Sequence, residues 1–125
     1  MAFSKLIDIL KQLLAALETK TGKTFIIKCL IAKDPEDISW ELFLYAPWLD
    51  ADETKRVNFI YENIISKLDS SVIIDFSGVI PCVQENDMTK SLMSTKQFAS
   101  GKVILDNESI FQVNYPFAKM VIFLD

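Results

Sequence analysis

Seventeen Asp and Glu residues, two cysteines and no histidine are the raw material for chemistry in this 125-residue chain. Without histidine there is no imidazole acid–base catalysis, no histidine-based triad and no imidazole metal ligand. The three glycines, Gly22, Gly78 and Gly101, are too scattered to build a phosphate-cradling loop. Cys29 and Cys82 sit inside apolar runs without CxxC spacing. They read as buried free thiols rather than as a nucleophile, a disulfide or a metal pair. Carboxylates remain. Asp75, Glu85 and Asp87 could meet near a strand end and hold a divalent cation through oxygen, but no known ligand spacing supports this. The expectation is therefore a chain with no catalytic residues, no metal and no cofactor, with a carboxylate site around Asp75 as the enzymatic or ligand-binding alternative.

The densest group of acids lies between residues 34 and 53, which hold Asp34, Glu36, Asp37, Glu41, Asp50, Asp52 and Glu53 and no Lys or Arg. Local structure accounts for most of them. Asp34, Glu36 and Asp37 suit a turn around Pro35, and Asp50, Asp52 and Glu53 suit the positive end of a helix. It does not account for the missing basic residues, nor for Glu41 on a strand with Phe43 and Tyr45. Aromatics beside carboxylates are also what anchors and steers a protein contact. The candidate partner-binding residues are Glu36, Asp37, Glu41, Phe43, Tyr45, Trp48, Asp50 and Asp52.

The elements that must position these groups are readable from periodicity. Leu6, Ile7, Leu10, Leu13, Leu14 and Leu17 form one stripe of a helix over Ser4–Lys20, capped by Ser4 and closed by Gly22. Thr24–Ala32 is almost continuously apolar, the pattern of a central strand. After the turn at 33–37, Ile38–Tyr45 alternates. Ile38, Trp40, Leu42 and Leu44 face a helix-covered core; Ser39, Glu41, Phe43 and Tyr45 face a partly exposed side. The two strands read as an antiparallel hairpin.

A second helix is expected over Ala51–Leu68, with Asp50 and Glu53 at capping-box spacing and a stripe of Val57, Ile60, Tyr61, Ile64, Ile65 and Leu68. Phe59 falls off that stripe, on the outside. Val72–Phe76 reads as a strand, Gly78 as a turn or bulge, and Val79–Val83 as an edge strand because Pro81 cannot donate to a ladder. Residues 84–102 read as a long loop with a short helical turn. Strands at Val103–Leu105, Ile110–Tyr115 and Phe117–Leu124 complete the chain. The expected fold is a single α+β domain over residues 1–125: an antiparallel sheet with two helices packed on one face, in the order α-β-β-α-β-(β)-β-β-β.

The formal charge of −4, without a basic stripe, disfavours nucleic acid, and no uncharged run is long enough to span a bilayer. A reducing cytoplasm is the expected compartment. A small acidic domain without catalytic residues resembles, as a class, the bacterial toxin-immunity proteins. That likeness covers the acidic stretch and implies a basic toxin domain as the partner. Secretion-type chaperones are also small, acidic and dimeric, and the apolar content keeps such a homodimer open as the alternative.

Overall fold

Six consecutive residues, Ile27–Ala32, form strand β1 at the centre of the sheet, where a strand covered on both faces has no polar side to spare. The structure is a computed structural model that describes residues 3–32, 40–73, 76–93 and 120–124. In chain order its elements are α1 (Phe3–Thr21), β1, β2 (Trp40–Tyr45), α2 (Glu53–Asn63), a 3-10 turn at Ile65–Lys67, α3 (Ser70–Ile73), β3 (Phe76–Cys82), α4 (Asp87–Met93) and β4 (Met120–Phe123). The protein is thus mixed α+β, with strand order β3-β2-β1-β4. The expected turn at 33–37 and the expected strands at 103–105 and 110–115 lie outside the described residues.

The hairpin forms as expected: β1 and β2 pair antiparallel, with Cys29 opposite Phe43 and Leu30 opposite Leu42. The expected last strand pairs too. β4 runs antiparallel to β1, and the Leu124 amide donates to the Lys28 carbonyl at 2.7 Å. The fully antiparallel sheet is not what forms, because β3 runs parallel to β2. The path from β2 to β3 passes through α2, the 3-10 turn and α3, long enough for a crossover that a hairpin turn cannot provide.

The expected strand at Val72–Phe76 is also corrected. The Asp69 carboxylate accepts from the Ser71 amide at 2.9 Å and starts a helical turn that takes up Val72 and Ile73. The strand begins at Phe76 and continues past Gly78, which sits at φ 146° in a region only glycine enters easily. There Trp40 pairs with Phe76 but Glu41 pairs with Gly78, so Ser77 is the extra residue of a bulge, and its hydroxyl donates to the Trp40 carbonyl at 3.1 Å. The bulge lets Phe76 and Val79 serve the same core despite their odd spacing. β3 is an edge of the described sheet, as Pro81 required.

Two cores result. On one face α1 contributes Leu6, Leu10, Leu14 and Leu17, and α2 with its C-terminal extension contributes Ile60, Ile64 and Leu68, over Leu30, Trp40, Leu42 and Leu44. On the other, Ile27, Cys29, Ile31, Phe43 and Tyr45 are covered by Leu92, Met88 and Met93 of α4. Helices therefore lie on both faces, not one. The side of β2 expected to be partly exposed is closed: Phe43 is 1 % exposed and Tyr45 6 %.

α2 also differs from its expected span. Its N-cap is Asp52, whose carboxylate accepts from the Lys55 amide at 3.0 Å, not Asp50. It stops at Asn63, where the Asn63 amide group donates to the Phe59 carbonyl (2.9 Å) and the Ser66 hydroxyl to the Glu62 carbonyl (2.7 Å). Side chains that bond the carbonyls of a last turn compete with its continuation. The buried side also differs from the expected stripe: Phe59 packs on the core, while Val57 and Tyr61 are exposed.

Candidate functional site

Trp48 is the pivot of the surface beside the acidic stretch. Pro47 ends β2's trajectory into a turn, and the Ala46 and Leu49 side chains on either side are buried, so the chain is tied down at both ends of the turn. The indole N–H donates to the Thr24 carbonyl at 2.8 Å. The ring lies 5.1 Å from Phe25, tilted, and 5.9 Å from Phe59, edge on. Such offset and edge geometries are the favoured ones for aromatic pairs. Lys23 places its ammonium 5.8 Å from the Trp48 ring centre, within cation–π range. Trp48 is held in place yet only half-buried.

Around it lies a groove of about 500 Å³, lined by Thr21, Lys23, Trp48, Leu49, Asp50, Lys55 and Phe59. Its wall is braced by Glu18 of α1, whose carboxylate accepts from the Phe25 amide (2.8 Å) and from the Lys28 ammonium (2.9 Å). That half-buried ion pair ties the end of α1 to the start of β1. The loop from 50 to 52 is strapped to α2. Arg56 donates to the carbonyls of Asp50 (2.9 Å) and Ala51 (3.3 Å), and Asp50 accepts from the Asp52 amide at 2.9 Å.

The candidate partner-binding residues scatter. Trp48 and Asp50 line the groove, with exposed Asp52 two residues on. Phe43 and Tyr45 belong to the second core, and Glu41 is half-buried on β2. Glu36 and Asp37 lie outside the described residues, as does Asp75. Of the acids grouped with Asp75, Glu85 and Asp87 are exposed. Among the described residues no three His, Cys, Asp or Glu side chains gather where they could hold a metal ion, and no helix is long and apolar enough to cross a membrane.

No protein-family model, curated protein or solved structure matches this chain. Its site is therefore read from its own geometry.

Lys23 and Lys55 join the groove without having been singled out from sequence, and Phe59, expected on the outside, packs against the core and lines the groove. Phe59 lies one position before buried Ile60, so the core-facing side of α2 reaches further round the helix than the expected stripe. Lys23 and Lys55 come from distant segments, and nothing in their sequence neighbourhoods brings them together. The thiols differ from one another. Cys29 is fully buried, and burial pushes its thiol far above the ordinary value. Cys82 is half-buried, with its Sγ 2.9 Å from the Gln84 carbonyl and 3.5 Å from the Asn86 amide nitrogen. Strand β2 lies between β1 and β3, which puts two strand spacings, about 10 Å, between the two cysteine backbones. A disulfide needs less than about 7 Å.

Proposed function

We propose that this chain is a non-catalytic binding domain that engages a basic protein partner, in the manner of a toxin-immunity protein, in a reducing cytoplasm. The observation that carries the reading is the pairing of a fixed, half-exposed Trp48 with exposed Asp50, Asp52 and Glu53 at the start of α2. An aromatic that is already immobilised loses little entropy on binding, and a rim of like charge raises the association rate with a cation-rich partner. Capping accounts for one oxygen of Asp50 and one of Asp52, so the charge on the rim serves the helix and a partner together. Of the expected aromatic anchors Phe43, Tyr45 and Trp48, the first two are buried, and the proposed interface centre narrows to Trp48.

The test is co-purification with the protein encoded beside this chain, followed by association kinetics of Ala51→Lys/Glu53→Lys. Both positions are exposed, and neither side chain makes a cap bond. The double variant should keep its melting temperature within a few degrees. Its association at low salt should slow by about tenfold and converge on the parent rate in high salt, where the Debye length shrinks to about 3 Å. An unchanged rate would move the interface elsewhere.

Val57 and Tyr61 favour the second reading, a chaperone-like homodimer. They are 52 % and 59 % exposed, one turn apart on α2, and form an apolar pair that the described residues leave uncovered. Native mass spectrometry separates the two. A dimer dissociated by Tyr61→Lys supports the chaperone reading, and a monomer supports the first.

A further inference from the structure

The groove beside Trp48 carries a pattern of charge that the acidic rim does not explain. Its polar lining is mixed: two ammonium groups, Lys23 and Lys55, and one carboxylate, Asp50. Neither lysine forms an ion pair with a described residue. Lys28 pairs with Glu18, and among the described residues Lys23 lies over the Trp48 ring. The apolar lining is Trp48, Leu49 and Phe59. Trp48 has spent its N–H on Thr24, so within the groove it offers ring surface alone. The volume, about 500 Å³, falls in the range of small-ligand sites, roughly 300–1,000 Å³.

We propose that this groove binds an aromatic amino-acid group, with its ring against Trp48 and Phe59, its carboxylate on Lys23 and Lys55, and its ammonium on Asp50. Each part of the ligand answers one part of the lining. A purely anionic ligand would meet the Asp50 carboxylate unfavourably, and a purely cationic one would meet two lysines. An aliphatic amino acid would satisfy the charges and leave the aromatic wall without a ring partner. Preorganisation favours the site, since Trp48 is pinned by a hydrogen bond and two aromatic contacts before any ligand arrives. Thr21 does not enter the recognition. Its hydroxyl already bonds the Leu17 carbonyl at 2.9 Å and closes the end of α1. The site shares Trp48 and Asp50 with the basic-partner reading but differs from it in requiring Lys23 and Lys55 and in not using the acids at 52 and 53.

A free amino acid offers all three groups, whereas the C-terminal residue of a peptide keeps the ring and the carboxylate but has no ammonium for Asp50, and the choice of probe separates them. The intact protein, labelled with nitrogen-15, is titrated with L-phenylalanine while the indole N–H signal of Trp48 is followed. Trp40, 7 % exposed in the first core, is the internal control. L-Phenylalanine should shift the Trp48 signal saturably and leave Trp40 unmoved. Lys23→Gln and Lys55→Gln should each weaken binding by about tenfold, the usual scale for one charge-assisted hydrogen bond. Both lysines are exposed and neither side chain holds the fold. Asp50→Asn retains an oxygen for the Asp52 amide and should also weaken L-phenylalanine by about tenfold, without changing the affinity for N-acetyl-L-phenylalanine. Weaker binding of N-acetyl-L-phenylalanine than of L-phenylalanine supports the free amino acid. Equal binding overturns the proposal, because N-acetyl-L-phenylalanine has no ammonium for Asp50. Leucine or phenethylamine binding as tightly as L-phenylalanine, or a Trp48 signal unmoved at saturating ligand, overturns the proposal.

Discussion

On one face of the sheet Leu42 and Leu44 lie under helices of 19 and 11 residues; on the other, Phe43 and Tyr45 lie under a helix of 7. Neighbouring residues of one strand are thus buried almost equally by very unequal cover. The first face is made by long amphipathic helices that bring several apolar side chains each, so the loss of any one is shared. Among the described residues the second is covered by Met88, Leu92 and Met93 of α4, of which Leu92 alone is fully buried. Burial measures what a residue loses on exposure. It says little about how firmly the cover is held.

The largest expected effect tests whether the second face is a core at all. Phe43→Ala should cost about 3–5 kcal/mol in urea unfolding, no less than Leu10→Ala on the first face at about 2–5 kcal/mol. A loss below half a kcal/mol at Phe43 would return that face to the surface. Leu92→Ala should cost about 2 kcal/mol, at the low end of its class because a short helix can shift to close the gap. Native Cys29, which lies beneath α4, should then become reactive to a thiol reagent. In the parent protein half-buried Cys82 should label in the native state and Cys29 only after opening.

The pH dependence sharpens the same point. Burial raises the Cys29 thiol above its unfolded value, so its contribution is fully present below about pH 8.5 and is lost as pH rises through and beyond that value. Between pH 8 and 10 the parent should lose about 2 kcal/mol more stability than Cys29→Ala, which has no thiol to ionise. Equal slopes would mean that the thiol ionises within the folded protein.

The smallest effects distinguish the two covers by their caps. Asp52→Ala at the start of α2 and Asn86→Ala before α4 should each cost about 1 kcal/mol. Asn86 caps reciprocally with Thr89: each side chain accepts from the other's amide at 2.8 Å. Asn86→Ala alone should raise Cys29 labelling, since α4 covers that residue and α2 does not. Equal labelling of the two variants would break the assignment of α4 as the cover.

The first face was legible because long helices repeat their signal. Leu6, Leu10, Leu14 and Leu17 needed only the helical period, and the hairpin needed only two strand patterns on either side of a turn. The second face was half legible. Thr24–Ala32 reads as covered on both sides, and a strand paired beside it must share at least part of that second layer. That inference leads to Phe43 and Tyr45, whereas their alternation with Leu42 and Leu44 read in isolation suggests an exposed side. The parallel strand was hidden by Asp69, whose local bond to Ser71 converts part of an apolar run into a helical turn. The groove was the least legible. Trp48 and Asp50 share one turn, but Lys23 and Lys55 arrive from separate elements, and only the packed structure brings them together.

The position of β4 has a consequence for how the molecule is made. β1 meets β2 early in synthesis, but its other edge waits for Met120–Phe123, near the far end of the sequence. Throughout that interval a strand of Ile, Lys, Cys, Leu, Ile and Ala presents open backbone donors and acceptors to any neighbouring nascent chain. Open apolar edges are templates for intermolecular pairing. The stretch that makes β1 a central strand of the finished sheet also makes it hazardous on the ribosome, and the arrival of a four-residue strand ends the exposure.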